Sequence, residues 1–171
     1  MQKLLSYFCS SVMKKVFMAV TGLLLCGFIL THLAANLLII FSPENFNLYG
    51  HKLTTNPFIY VAEAGLLVLF LVHMFLALKL TIENKRARPV KYAMKRKNTG
   101  KGATFASSTM PYTGFIILVF LVLHIWGLKF GAVYSTNFDG IEMRDLYKLC
   151  IEYFSNIYTV IFYVVVMISL G

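Results

Sequence analysis

Of the four histidines in the chain, three, His32, His73 and His124, stand inside long apolar blocks, one to a block. The stretch "LLLCGFILTHLAANLLII" around His32 sets the pattern. An ionisable side chain at membrane depth is costly and is by default a candidate for function. A single one is explained as well by a hydrogen bond to a neighbouring helix as by a ligand role; three in consecutive blocks favour ligation. Neutral imidazole is a good ligand for iron, and its second ring nitrogen can bond the carbonyl one turn back, here that of Phe28, Leu69 or Phe120. At the helical rise per residue, His32 lies about 13 Å from its block's end at Phe41, and His124 about 13 Å from Val133. His73 lies about 24 Å from Pro57, at a different level. Two imidazoles at one level on different helices could clamp a flat macrocycle and fill both axial positions of a haem iron. Such a centre serves electron transfer rather than oxygen chemistry. The expected pair is His32 with His124, while His73 awaits a partner at its own depth. His51, in "NLYGHKLTTNP" between two blocks, reads as a surface residue.

The elements that must position these rings follow from composition. The chain has 171 residues, 58% of them hydrophobic and 13% charged, whereas a soluble domain carries about 25% charged residues. The apolar residues come in runs rather than at helix or strand period. A helical span takes roughly 20 residues, and only helices or closed barrels satisfy the backbone in lipid. The expected fold is therefore all-α, an integral membrane helical bundle forming a single domain, with helices at about 16–41, 58–80, 112–133 and 157–171. The second opens at Asn56-Pro57 and the third at Pro111. The first has Lys14-Lys15 before it, as a signal peptide would, but its apolar run of about 25 residues exceeds the h-region of roughly 7–15, so it reads as a retained helix. The fourth run is short for a span, so the sequence is expected to be incomplete at its C-terminus. The level of His73 falls just beyond Gly171 on that helix. This predicts a histidine about two to six residues further on, followed by a fifth span.

Charge sets the expected orientation. The segment 84–110 carries Lys85, Arg86, Arg88, Lys91, Lys95, Arg96, Lys97 and Lys101, and the N-terminus adds Lys3, Lys14 and Lys15. Glu44, Asp139, Glu142, Asp145 and Glu152 fall in the segments 42–57 and 134–156, read as loops. The positive-inside rule puts the N-terminus and the 84–110 loop in the cytoplasm. That loop suits attraction to anionic membrane lipid or the docking of a cytoplasmic partner. Topology already accounts for the basic charge, so no nucleic acid is expected.

Other chemistry is excluded or secondary. Cys9, Cys26 and Cys150 form no CxxC, which rules out thiolate-ligated iron–sulfur or zinc sites. No Gly-rich phosphate loop or nucleophile elbow occurs. Glu63, in "YVAEAGLL", is read either as a helix-to-helix hydrogen bond or as a proton carrier where a quinone could react. Lys79 reads as snorkelling or pairing with a haem propionate, and Tyr112, Trp126 and Tyr134 as interface-belt residues. Gly22, Gly27, Gly65, Gly114 and Gly127 allow either close helix packing or room for a porphyrin face.

With these residues in view, "SSVMKKVFMAVTGLLLCGFILTHLAANL", "YGHKLTTNPFIYVAEAGLLVLFLVH" and "KRARPVKYAMKRK" resemble the first two helices and the cytoplasmic loop of the dihaem cytochrome b subunit of succinate dehydrogenase and fumarate reductase. The resemblance covers nearly the whole chain. It implies a five-helix subunit of a bacterial cytoplasmic membrane that holds two b-type haems and anchors a flavoprotein and an iron–sulfur protein on the cytoplasmic face. Such a subunit exchanges electrons with a quinone, commonly menaquinone. It also implies that His32 and His124 ligate the haem farther from the soluble subunits and that His73 ligates the nearer one. The fourth ligand and fifth helix are absent from this sequence. The chain shows no flavin fold or dicarboxylate site, so succinate oxidation or fumarate reduction would belong to the partners. Other readings are the cytochrome b subunit of a membrane hydrogenase or formate dehydrogenase, and a non-redox transporter or anchor with hydrogen-bonded histidines.

Overall fold

The computed structural model describes residues 10–87 and 105–170. Helix α1, Ser11–Asn36, opens on Ser10, whose hydroxyl accepts from the Met13 amide, and after a break a short α2 runs Leu38–Phe41. Ser42 caps the next helix, α3, Pro43–Thr55. Its Oγ accepts from the Asn45 amide at 3.1 Å, and Pro43 stands in the first turn, where its missing N–H costs nothing. The Asn56 side chain accepts from the Phe58 amide at 3.0 Å and so opens α4, Phe58–Arg86. Helix α5, Phe105–His124, runs into a π-helical turn, Ile125–Lys129. It begins ahead of Pro111, which lies inside it rather than at its start and removes one backbone hydrogen bond there.

Three stretches are long and apolar enough to cross a membrane: Ser11–Phe41, Phe58–Arg86 and Ser108–Lys129. Their side chains are largely exposed, Leu23, Leu67 and Trp126 among them. Water would penalise such a surface and lipid does not. A fourth apolar stretch is bent: α6, Leu146–Ser155, meets α7, Ile157–Leu170, at 90°. The mostly helical architecture agrees with the sequence reading.

Two segments read as loops are structured, and one departs from the all-α expectation. The 42–57 segment holds α3. The 134–156 segment holds an antiparallel hairpin, β1 Ser135–Phe138 with β2 Ile141–Arg144, followed by α6. The pairing runs Ser135 to Arg144 and Phe138 to Ile141. Asp139 and Gly140 both have positive φ, 51° and 78°. That is the two-residue turn whose twist matches a hairpin, and Asp-Gly is among its preferred dipeptides.

The chain clusters into two compact units, Met1–Phe28 with Glu63–Tyr112, and Ile29–Ala62 with Thr113–Gly171. In the first, α1 and α4 are tied by a Lys14–Glu83 ion pair at 2.6 Å, with the lysine largely covered. In the second, α3 packs on β2 and α6. Phe46, Met143 and Leu149 are buried there, and Gly50 makes room for the Leu146 side chain. Buried Asn47 donates to the Asp145 carboxylate at 2.9 Å and accepts from the Tyr147 amide at 2.9 Å. The Tyr134 hydroxyl donates to Glu152, which holds that phenol above its ordinary range.

Candidate functional site

The unit Ile29–Ala62 with Thr113–Gly171 brings His32 of α1 and His124 of α5 together. Their ring centroids are 5.8 Å apart and their planes cross at 78°. A metal held between two imidazoles would put the centroids roughly 6 Å apart, from two metal–nitrogen bonds of about 2 Å and about 1 Å from each nitrogen to its ring centre. The observed spacing is close to that value, and it is also the spacing of an ordinary edge-on ring contact. Among the described residues, no group of three or more His, Cys, Asp or Glu is placed to hold a bare metal ion. A haem asks less of the protein, because the porphyrin supplies four of the six bonds.

An aromatic cluster surrounds His124. Its Nδ1 lies 3.1 Å from the Tyr163 hydroxyl of α7, and its ring stacks on Phe120 at 5.3 Å. Tyr163 in turn packs edge-on against Phe120, Phe154 and Phe162. The partner at Nδ1 is thus a side-chain hydroxyl, not the Phe120 carbonyl one turn back. With Nδ1 engaged, Nε2 is the nitrogen left for a ligand bond. The glycines differ in what surrounds them. Gly127 lets the Tyr153 ring lie against the helix, where a Cβ would collide with it, whereas a Cβ at Gly114 would meet open space.

His73 belongs to the other unit, Met1–Phe28 with Glu63–Tyr112. Its Nδ1 lies 3.0 Å from the Thr21 hydroxyl of α1, again in place of the carbonyl of Leu69. Thr21 is buried, and Gly22 beside it lets the imidazole edge approach: a Cβ there would stand 3.2 Å from His73 Cε1. Glu63 is half-buried on α4. Lys79 has its ammonium 5.8 Å from the Phe75 ring centre. Gly27 and Gly65 face open space. Lys85 and Arg86 close α4, while Arg88, Lys91, Lys95, Arg96, Lys97 and Lys101 of the expected docking loop lie outside the described residues, as does Cys9.

Sequence reasoning missed Thr21, Tyr163 and Arg144. Arg144 reaches from β2 to the end of the helix that carries His124. Its Nη1 donates to the Lys129 carbonyl at 3.1 Å, and its Nη2 to those of Gly131 and Ala132 at 3.2 and 3.1 Å. Lys129 ends the helix, whose last carbonyls lack partners within it, and Gly131 and Ala132 follow just beyond; a cation there also meets the negative end of the helix dipole. The available signal was an arginine in a mostly acidic segment.

Fold and side-chain placement together define a multi-pass helical membrane protein with histidines inside its apolar helices. Compared with known proteins, the chain matches no family model, no curated protein and no solved structure.

Proposed function

We propose that the chain is a haem-binding membrane subunit that carries electrons, in the manner of the dihaem cytochrome b anchors of succinate:quinone oxidoreductases. The observation that carries this reading is the His32–His124 pair, 5.8 Å apart in an apolar setting. When bound, a b-type haem supplies one-electron chemistry. The chain's residues would do the rest. His32 and His124 would hold the iron, Tyr163 would orient the His124 ring, and the aromatic cluster would cover the His124 side of the site. His73 offers a ligand for a second haem, and Glu63 a carboxylate for proton exchange with a quinone, of the menaquinone type by the resemblance. Flavoprotein and iron–sulfur partners would dock at the basic 84–110 segment on the cytoplasmic side of a bacterial inner membrane. A hydrogenase or formate dehydrogenase cytochrome b would use the same haem chemistry with other partners.

The hydroxyl partners of His73 and His124 favour a second reading, a non-redox membrane anchor whose histidines only join helices. A dithionite-reduced minus oxidised spectrum of the purified protein separates the two, since haem bands appear only in the first. His32→Ala and His124→Ala should each remove the same haem; single variants that lose different haems would sink the pairing. Co-purification with a flavoprotein distinguishes the succinate complex from the other cytochromes.

A further inference from the structure

The contact between Thr21 and His73 carries more information than its length. The Thr21 hydroxyl has one proton. Its Oγ1 lies 2.8 Å from the Phe17 carbonyl and 3.1 Å from the Met18 carbonyl, both on its own helix. A carbonyl can only accept, and two of them lie within reach, so the arrangement favours a proton turned to the α1 backbone, the usual resting geometry for a threonine inside a helix. The same oxygen lies 3.0 Å from His73 Nδ1. With its proton spent, it meets that nitrogen as an acceptor. Nδ1 then carries the hydrogen. In a neutral imidazole one nitrogen donates and the other accepts, which leaves the lone pair on Nε2.

Two further features hold the arrangement. The missing Cβ at Gly22 admits the Cε1–Nδ1 edge of the ring, at 3.2 and 3.7 Å from where that Cβ would stand, and Nε2 is not among the atoms within 4 Å of that point. Further along the same two helices, the Lys14–Glu83 ion pair ties α1 to α4 a second time, so the helices cannot slide past one another without breaking it. Sequence adjacency does the rest: acceptor and clearance are neighbours, Thr21 and Gly22.

We propose that Thr21 is a positioning residue for His73, fixing the ring as its Nδ1–H tautomer so that the Nε2 lone pair is presented as a ligand for a metal-bearing cofactor. The tautomer rests on the Thr21 hydroxyl donating to its own helix; the use made of Nε2 rests on the function proposed above. At His124 the corresponding hydroxyl, Tyr163, has no such commitment to a helix carbonyl among the described residues, so the tautomer there is not determined in the same way.

The test is a long-range ¹H–¹⁵N correlation spectrum of the full chain, ¹⁵N-labelled at histidine, in detergent without added haem, with His73 assigned by the signal missing from His73→Gln. The wild-type ring should show the Nδ1–H pattern. Thr21→Val keeps the shape and removes the acceptor, and should move the tautomer ratio toward Nε2–H by about three- to tenfold, the worth of one net hydrogen bond. Thr21→Ser should restore it. A wild-type His73 that is Nε2–H or doubly protonated overturns the proposal, and so does a ratio unmoved in Thr21→Val. Haemin titration is read separately. An Nδ1–H ring in a protein that takes up no haem would retain the role of Thr21 and refute the cofactor reading instead.

Discussion

Replacing Arg144 by methionine should loosen the end of the helix that carries His124. The guanidinium reaches the carbonyls of Lys129, Gly131 and Ala132 at 3.1 to 3.2 Å and that of Leu128 at 3.4 Å. Nη2 has two hydrogens to share among three of these, so the four contacts amount to about three bonds. Charge-assisted hydrogen bonds contribute about 1.5–3 kcal/mol each when the partners are dry. The Lys129 and Ala132 contacts are exposed, and water can replace the arginine there, which brings the figure nearer 1 kcal/mol per bond. Methionine keeps most of the stem's packing, so the loss is about 3 kcal/mol. At about 2–4 °C per kcal/mol for a chain of this size, the melting temperature in detergent should fall by about 6–12 °C, followed by far-ultraviolet circular dichroism. Arg144→Lys keeps the charge but gathers fewer carbonyls. It should recover less than half of the loss; both variants alike delete the buried Nε, which makes no hydrogen bond among the described residues. A melting temperature for Arg144→Met within about 2 °C of wild type would mean that water caps this end as well as arginine does.

Four further outcomes can be checked. Tyr163→Phe keeps the aromatic cluster but removes the hydroxyl at His124 Nδ1, which would accept from that nitrogen with Nε2 on the iron. The ligand becomes less basic, and the midpoint potential of its haem should rise by about 30–60 mV, a three- to tenfold change for one electron; an unmoved potential denies Tyr163 any part in tuning. Gly127→Ala should cost about 1–3 kcal/mol through collision with the Tyr153 ring, while Gly114→Ala, facing open space, should melt at or above wild type; equal effects at the two positions would contradict the packing described. Glu63→Gln should slow quinol turnover at unchanged haem content, and full turnover in that variant returns Glu63 to a packing role. Reversing the charges of Lys91, Lys95, Arg96 and Lys97 should release the soluble partners or make their binding fail at raised salt; a complex that survives leaves the loop with topology alone.

Much of the membrane character was legible in the order of residues, because a lipid-crossing helix is a local property. Length and apolarity suffice, and Ser11–Phe41, Phe58–Arg86 and Ser108–Lys129 have both. The positions of His32, His73 and His124 within those runs were equally plain. The Asp139-Gly140 turn is readable too, but strands of four residues each give a pattern too short to stand out from a loop. What each histidine touches was not legible. Helices in lipid are apolar nearly all round, so no polar stripe reveals which face turns inward, and the rotation of each helix settles which side chains meet. Only the folded chain sets the His32 ring beside that of His124, puts Thr21 and Tyr163 where carbonyls one turn back had been expected, and brings Arg144 across from β2 to the end of another helix. Those contacts join residues far apart in the chain, and no local spacing encodes them.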